Sequence, residues 1–343
     1  MRLLPSRPII RPPALNQFLP KTATRSLAVE SGGRPYQLSS YLVSPHDLNL
    51  ALQKNIHSKL STAPRIIPLC ASWYMPNDAK KRTGIQSFLA DRIPYARFFD
   101  VDAVKDEASP YPHMLPSPEV FAKAMGELGI RRDDSVVVYD SADMGIFSAP
   151  RVAWTLKVFG HDGVHILNNY KLWVDQGFPV EKGEPQKFDT VSYPVPQLAK
   201  DKVLSFEELK ESIKDQSKEG AEEIQVLDAR SKGRFDGSEP EPRAGLSSGH
   251  MPYSINIPFS DVISARTKAF LPADELKLYF ETKDVDPSKP IVCSCGTGVT
   301  AAVLDAALTE AGYPEQGRKL YDGSWTEWAQ RVEPNDGLIK KDA

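Results

Sequence analysis

Cysteine is scarce in this chain: Cys70, Cys293 and Cys295 are the three among 343 residues. That is too few for a disulfide-stapled fold and leaves too few thiolates for an all-cysteine zinc site. Long apolar runs are also missing. No stretch approaches the roughly 18 residues that a membrane-spanning helix needs, so no bilayer crossing is expected. An excess of either charge is lacking too, with 42 Lys+Arg against 45 Asp+Glu and a net charge of −3. Without a basic field to hold a polyanion, nucleic acid is not expected as a direct ligand. What remains is 41% hydrophobic and 25% charged residues, an ordinary globular composition at a length that suits two domains of roughly 100 to 200 residues each.

Acid is absent from the first 29 residues, which hold Arg2, Arg7, Arg11, Lys21 and Arg25; the first carboxylate is Glu30. An arginine-bearing, acid-free start followed by Ser26-Leu27-Ala28 has the character of a mitochondrial transit segment. A disordered tail is the alternative, because Pro5, Pro8, Pro12, Pro13 and Pro20 interrupt any amphipathic helix. A mitochondrial location is expected, with a cytoplasmic pool also allowed, and residues 1–40 are set aside as a targeting or disordered segment.

Residues 45–180 and 204–332 repeat one another. Arg92-Ile93-Pro94-Tyr95-Ala96-Arg97-Phe98-Phe99-Asp100 aligns with His250-Met251-Pro252-Tyr253-Ser254-Ile255-Asn256-Ile257-Pro258, and Ser135-Val136-Val137-Val138-Tyr139-Asp140 aligns with the run from Pro290-Ile291-Val292-Cys293. The second pair are short β-branched runs of the kind that form fully buried parallel strands. A turn and a helical stretch follow each, Ala149–Leu156 and Val299–Leu308, and Gly160 and Gly312 suit left-handed caps at their ends. Further strands are expected at Ile66–Leu69, Val164–Leu167 and Ile224–Asp228, with a helix at Phe206–Lys214 behind a Ser205/Glu208 capping box. This alternation implies an α/β fold with mostly parallel sheets flanked by helices. The expected domains are 41–182 and 203–335, joined by a Gly- and Pro-bearing linker at 183–202 and followed by a tail at 336–343.

In Cys293-Ser294-Cys295-Gly296-Thr297-Gly298-Val299-Thr300, a buried strand enters a loop with two glycines, and a helix is expected to open at about Val299. Converging backbone N–H groups and the helix N-terminus favour an anion there. A cysteine so placed is set up as a thiolate nucleophile, which singles out Cys295, whereas Cys70 and Cys293 read as small buried hydrophobes. A phosphatase would need an arginine six residues after the cysteine to hold the transferring phosphoryl group, and that residue is Ala301. The cradle is short, so the anion that suits it is small, or is a persulfide on the cysteine itself.

The segments Cys295–Thr300, Tyr321-Asp322-Gly323-Ser324-Trp325-Thr326-Glu327-Trp328, Gly233–Arg243 and Ser148-Ala149-Pro150-Arg151 together resemble the two-domain rhodanese (sulfurtransferase) family, over about residues 45–332. The resemblance implies tandem rhodanese-like domains with the active loop in the second. The first domain's loop, Asp140–Gly145, carries no cysteine, so that domain is expected to be inactive and to wall the cleft. No metal or organic cofactor is implied. Thiosulfate enzymes of the family carry Arg-Lys after the cysteine and 3-mercaptopyruvate enzymes carry Gly-Ser or Gly-Thr. This chain has Gly296-Thr297. A loop without cations gives no help to dianionic thiosulfate, whereas the single carboxylate of 3-mercaptopyruvate suits a two-pronged arginine.

By the same resemblance, Arg234 and Arg243 fall where the substrate's carboxylate and carbonyl are gripped, and Gly296, Gly298, Val299 and Thr300 belong to the substrate-binding loop. From the residues alone, an ion pair of either arginine with Glu239 or Glu241 is equally open. Thr297 takes the place of a family serine that moves a proton, and Asp102 and His113 match an Asp and a His thought to complete that relay. His46, His57, His161, His165 and His250 read as structural or solvated. The expected activity is transfer of sulfur from 3-mercaptopyruvate, through a Cys295 persulfide, to thioredoxin or another thiol acceptor, or to cyanide, in a monomer or weak dimer. The rivals are thiosulfate:cyanide sulfurtransfer and a persulfide carrier that feeds tRNA thiolation.

Overall fold

The structure, a computed structural model, describes residues 38–54, 62–216, 218, 220, 223–333 and 335–342. The expected targeting segment up to residue 37, and His57, lie outside them. In chain order the first half holds β1 (Leu42–Val43), α1 (Pro45–Gln53), β2 (Ile66–Cys70), α2 (Gly84–Ala90), β3 (Arg97–Phe98), α3 (Pro118–Glu127), β4 (Ser135–Tyr139), α4 (Ala149–Val158), β5 (Val164–Leu167) and α5 (Tyr170–Asp175). The second half repeats that series: β6 (Val203–Leu204), α6 (Phe206–Asp215), β7 (Gln225–Asp228), α7 (Lys232–Asp236), β8 (Ser254–Asn256), α8 (Ala273–Thr282), β9 (Ile291–Ser294), α9 (Ala301–Glu310), β10 (Arg318–Tyr321) and α10 (Ser324–Arg331).

The strand orders are β1-β5-β4-β2-β3 and β6-β10-β9-β7-β8, which are the same order, strand for strand. Every pairing between these strands is parallel. Val136, Val137 and Val138 are wholly buried, because β4 sits at the centre of its sheet with helices on both faces. The correspondence extends to single residues. The amide of Val136 donates to Gly163 as that of Ile291 donates to Gly317, which makes Asp140 the counterpart of Cys295. Tyr95 and Tyr253, matched in the aligned segments, hold φ of 61° and 62°.

The chain departs from expectation where α9 begins. Gly298 has φ +78° and Val299 and Thr300 form a turn, so the helix starts at Ala301 rather than Val299, with Thr300 at its N-cap position. A left-handed residue cannot continue into a right-handed helix, and the turn lengthens the loop that follows Cys295.

Almost every residue of α4 and α9 is buried. Each packs on its own sheet and the two pack on each other, which is why both are apolar around most of their circumference. One hydrophobic core therefore runs through both halves, from Ile67 and Val138 across Ala153 to Ala301 and Leu308. Residues 182–199 form no helix or strand and run along the first half. There the Arg97 guanidinium lies 3.6 Å from the Phe188 ring centre, Val191 N donates to Gly126 O over 3.0 Å, and Tyr193 Oη lies 2.9 Å from His161 Nδ1.

At the start of α6, Glu208 N donates to Ser205 Oγ over 3.3 Å, and Ser205 N donates back to Glu208 Oε2 over 2.9 Å. Ser205→Ala removes the hydroxyl acceptor from that helix N-terminus and should cost about 1 kcal/mol. A lower urea midpoint with unchanged slope is expected, and an unshifted midpoint would show that the cap contributes nothing.

Candidate active site

Cys295 stands one residue beyond β9, and Arg230, Ser231 and Arg234 follow its neighbour β7. Parallel strands end on the same side of a sheet, so these residues meet at one edge, the usual place for a ligand in an open α/β fold. The first half contributes in the same manner: Trp73 follows β2, and Asp102 follows β3. Between them lies a cavity of about 210 Å³. Its walls are apolar at Trp73, Met75, Phe147 and Phe259 and cationic at Arg230, Arg234 and Arg243, and Cys295, Gly296, Thr297, Val299 and Thr300 complete it.

The loop after Cys295 is tied down through its carbonyls. Trp325 N donates to Cys295 O over 2.9 Å and Thr326 N to Gly296 O over 3.0 Å, while Thr326 Oγ1 donates to Gly296 O over 2.7 Å. The first turn of α10 thus uses amides that have no partner within their own helix. Cys295 N donates to Ser324 Oγ over 3.2 Å. The amides of Gly296, Thr297, Gly298, Val299 and Thr300 have no acceptor among the described residues. Five successive N–H groups without acceptors beside a cysteine form a place for an anion.

Two glycines make that path possible. A Cβ on Gly298 would lie 2.7 Å from Arg151 Nη1 and 2.8 Å from Asp322 O, and one on Gly296 would lie 3.0 Å from Arg234 Nη2. Arg151, from α4 of the first half, reaches Asp322 Oδ1 at 2.6 Å and donates to His113 O over 2.5 Å. Leu115 N donates to the other Asp322 oxygen over 2.8 Å. A buried ion pair thereby holds the His113 segment of one half against the Gly298 loop of the other.

Thr297 Oγ1 lies 3.2 Å from His113 Nδ1, His113 Nε2 lies 3.0 Å from Asp102 Oδ1, and Trp73 Nε1 donates to Asp102 Oδ2 over 2.7 Å. Burial pulls the His113 pKa below its ordinary value against the pull of Asp102, and the hydrogen bond from His113 holds the Asp102 carboxyl low. A neutral imidazole beside an ionised carboxylate carries its proton on Nε2, so Nδ1 accepts from the Thr297 hydroxyl. Asp102 and His113 do not line the cavity; they stand behind Thr297.

The two arginines differ. Arg234 donates through Nε (3.1 Å) and Nη2 (2.6 Å) to Glu241, which Arg230 also holds at 2.8 Å. It forms the ion pair left open by the sequence while still facing the cavity. Arg243 pairs with no carboxylate among the described residues, and burial together with the Arg234 charge pulls its pKa down. A half-buried guanidinium that makes no ion pair among the described residues is a ready site for an anionic ligand.

Sequence reasoning missed Trp73, Phe147, Phe259, Arg230 and the bracing role of Arg151. An arginine inside the apolar helix Ala149–Val158 was a visible signal for the last. The aromatic wall had none, because apolar residues at strand ends read as core. All three cysteines are free and buried. Burial pushes Cys70 up to about 12 and Cys293 higher still, which leaves both inert at neutral pH. His161, His165 and His250 are buried against backbone carbonyls, and His46 is exposed. In the first half, Asp140 accepts from Phe147 N, Ala149 N and Ser148 Oγ over 2.9, 2.8 and 2.5 Å. The loop matching that of Cys295 is therefore closed around its own carboxylate.

The family described as "Rhodanese-like domain" matches residues 205–331. A protein of Schizosaccharomyces pombe named probable 3-mercaptopyruvate sulfurtransferase is 41% identical over 289 residues, covering 83% of this chain and 94% of that one. The thiosulfate sulfurtransferase TUM1 of Saccharomyces cerevisiae is 39% identical over 305 residues, covering 85% and 96%. A cryo-EM structure of the yeast mitochondrial complex I sub-stoichiometric sulfur transferase subunit superposes with a TM-score of 0.77 at 39% identity, covering 88% of this chain and 100% of that one.

His113 should titrate by NMR with a midpoint below the ordinary value of about 6.5. The folded protein then binds this proton less tightly than the unfolded chain. Stability attached to the group is present above about pH 6.5 and is lost as pH falls through that window. A midpoint at or above the ordinary value would contradict the buried neutral imidazole.

Proposed function

The chain belongs to the rhodanese-like sulfurtransferases, and from that premise we propose that it moves sulfur from 3-mercaptopyruvate through a persulfide on Cys295 to a thiol acceptor, releasing pyruvate. One observation carries the reading: Cys295 opens a loop whose amides from Gly296 to Thr300 have no acceptor among the described residues, across a small cavity from Arg243, which makes no ion pair among them. The 3-mercaptopyruvate carboxylate meets Arg243 and the free edge of Arg234, whose remaining donors are fixed by Glu241. This orients the donor sulfur toward Cys295.

The Cys295 thiolate attacks that sulfur, and the carbon–sulfur bond breaks with its electron pair going to carbon as the enolate of pyruvate. The proton carried by the donor's thiol ends on the methyl carbon of pyruvate, which leaves an anionic persulfide on Cys295. Thr297 is the conduit for that proton, because His113 Nδ1 accepts from its hydroxyl and frees the oxygen's lone pairs for the reacting sulfur. The loop amides then hold the outer sulfur. Gly298, Val299 and Thr300 act through their backbone, and no cofactor takes part. In this reading the first half is inactive, since Asp140 fills the position that Cys295 occupies in the second.

The uncharged Gly296-Thr297 pair favours 3-mercaptopyruvate over thiosulfate, the donor named for one relative. The carboxylate clamp favours an enzyme over a pure sulfur carrier, which has no use for it. The acceptor in this reading is thioredoxin or another thiol, and a mitochondrial site of action accords with the arginine-bearing start and with the mitochondrial relative.

Cys295→Ser should abolish pyruvate release, and the wild-type protein should gain one sulfur on Cys295 by mass spectrometry after 3-mercaptopyruvate is added. Retained turnover, or a higher kcat/KM for thiosulfate, would overturn the assignment. Arg243→Ala should lower kcat/KM for 3-mercaptopyruvate roughly 10- to 100-fold, the range for a lost hydrogen bond to a charged group, whereas an unchanged value would remove Arg243 from the donor site.

A further inference from the structure

A second concavity of about 500 Å³ lies beside the Cys295 cavity, and Arg243 lines both. One wall is the first-half loop with Lys105 and Tyr111; the other is formed by Leu246 and by Thr326 and Gln330 of α10. Thr326 is also the residue that holds Gly296 O, so the groove abuts the Cys295 loop directly. Its lining includes two cations, Lys105 and Arg243, and no carboxylate. Lys105 and Arg243 both act on Asp102 electrostatically, which places the groove next to the Asp102–His113–Thr297 chain.

We propose that this groove is the acceptor subsite and that it takes a low-molecular-weight thiol bearing carboxylates, of about tripeptide size. The proposal rests on the sulfurtransferase reading given above. A volume of this order suits such a ligand, and a cationic lining without acids selects an anion. Arg243, common to both spaces, attracts the donor's carboxylate in the first half-reaction and the acceptor's in the second. With the acceptor seated, its thiolate attacks the outer sulfur of the Cys295 persulfide. A new sulfur–sulfur bond forms, the old one breaks with its electron pair going to Cys295, and the product leaves as the acceptor's persulfide with no net oxidation.

The test separates the two half-reactions in the full chain. Persulfide is loaded on wild type and on Lys105→Glu, and loading is read by mass. Discharge is then timed with glutathione, glutathione diethyl ester, 2-mercaptoethanol and thioredoxin. Wild type should discharge faster to glutathione than to its ester. Lys105→Glu should slow discharge to glutathione about three- to tenfold through a higher acceptor KM, with discharge to 2-mercaptoethanol unchanged. Gln330→Glu should act in the same direction. Equal rates for glutathione and its ester, equal slowing with every thiol, or slowing confined to thioredoxin would each overturn the proposal. Failure of 3-mercaptopyruvate to load Cys295 would count against the donor assignment alone, because inorganic polysulfide can load the same cysteine and the discharge comparison still decides the groove.

Discussion

The structure depends on a backbone that is only half satisfied. Between β9 and α9 the loop gives its first two carbonyls to the amides of Trp325 and Thr326 and leaves its own amides from Gly296 to Thr300 without acceptors among the described residues. Buried N–H groups without partners are costly, so such an arrangement persists only where neighbours impose it. Here the neighbours are the first turn of α10, the close approach of Arg151 and Asp322 at Gly298, and the wholly buried strand that ends at Ser294. In the proposed reaction a negative sulfur among the amides offsets that cost. Stability and chemistry are thus linked at one loop, and Gly298 is required by both.

Duplication supplies the rest. Both halves have the same strand order and place ligand-facing residues at the same strand ends, yet they have divided the work. The second half keeps the short loop with its cysteine and the arginines after β7. The first has a longer loop turned inward on Asp140, while its His113, backed by Asp102 and Trp73, reaches across the cleft to Thr297. Neither half alone contains the constellation. The packing of α4 on α9 aligns the two parts, and Arg151 fixes the distance between them.

Much of this was legible in the sequence for physical reasons. Val136–Val138 and Ile291–Cys293 are buried on both faces, so their β-branched runs reveal the central strands without alternation. The Ser205/Glu208 box marks α6, and the paired glycines Gly160 and Gly312 mark the ends of α4 and α9. The start of α9 was misplaced by two residues, because Val299 and Thr300 suit a helix as well as a turn and the positive φ of Gly298 is not written in their side chains. The groups behind Thr297 could be named only through family resemblance: Asp102 and His113 lie far from Thr297 in sequence, and loop residues carry no period. Trp73 and the unpartnered state of Arg243 could not be read at all. Both are properties of how the two halves meet.

The Arg151–Asp322 brace has a mechanical meaning beyond its electrostatics. Two sheets joined by one continuous core and tied by a buried ion pair beside the Cys295 loop resist any opening of the cleft between them. A cleft so braced is a fixed gauge: its width is set during folding, and in the proposed reaction a donor or acceptor would be admitted by its dimensions and charge rather than by an enclosing movement. In the proposed reaction, two different molecules would use neighbouring openings in succession, with the sulfur held between them on a residue that does not need to travel.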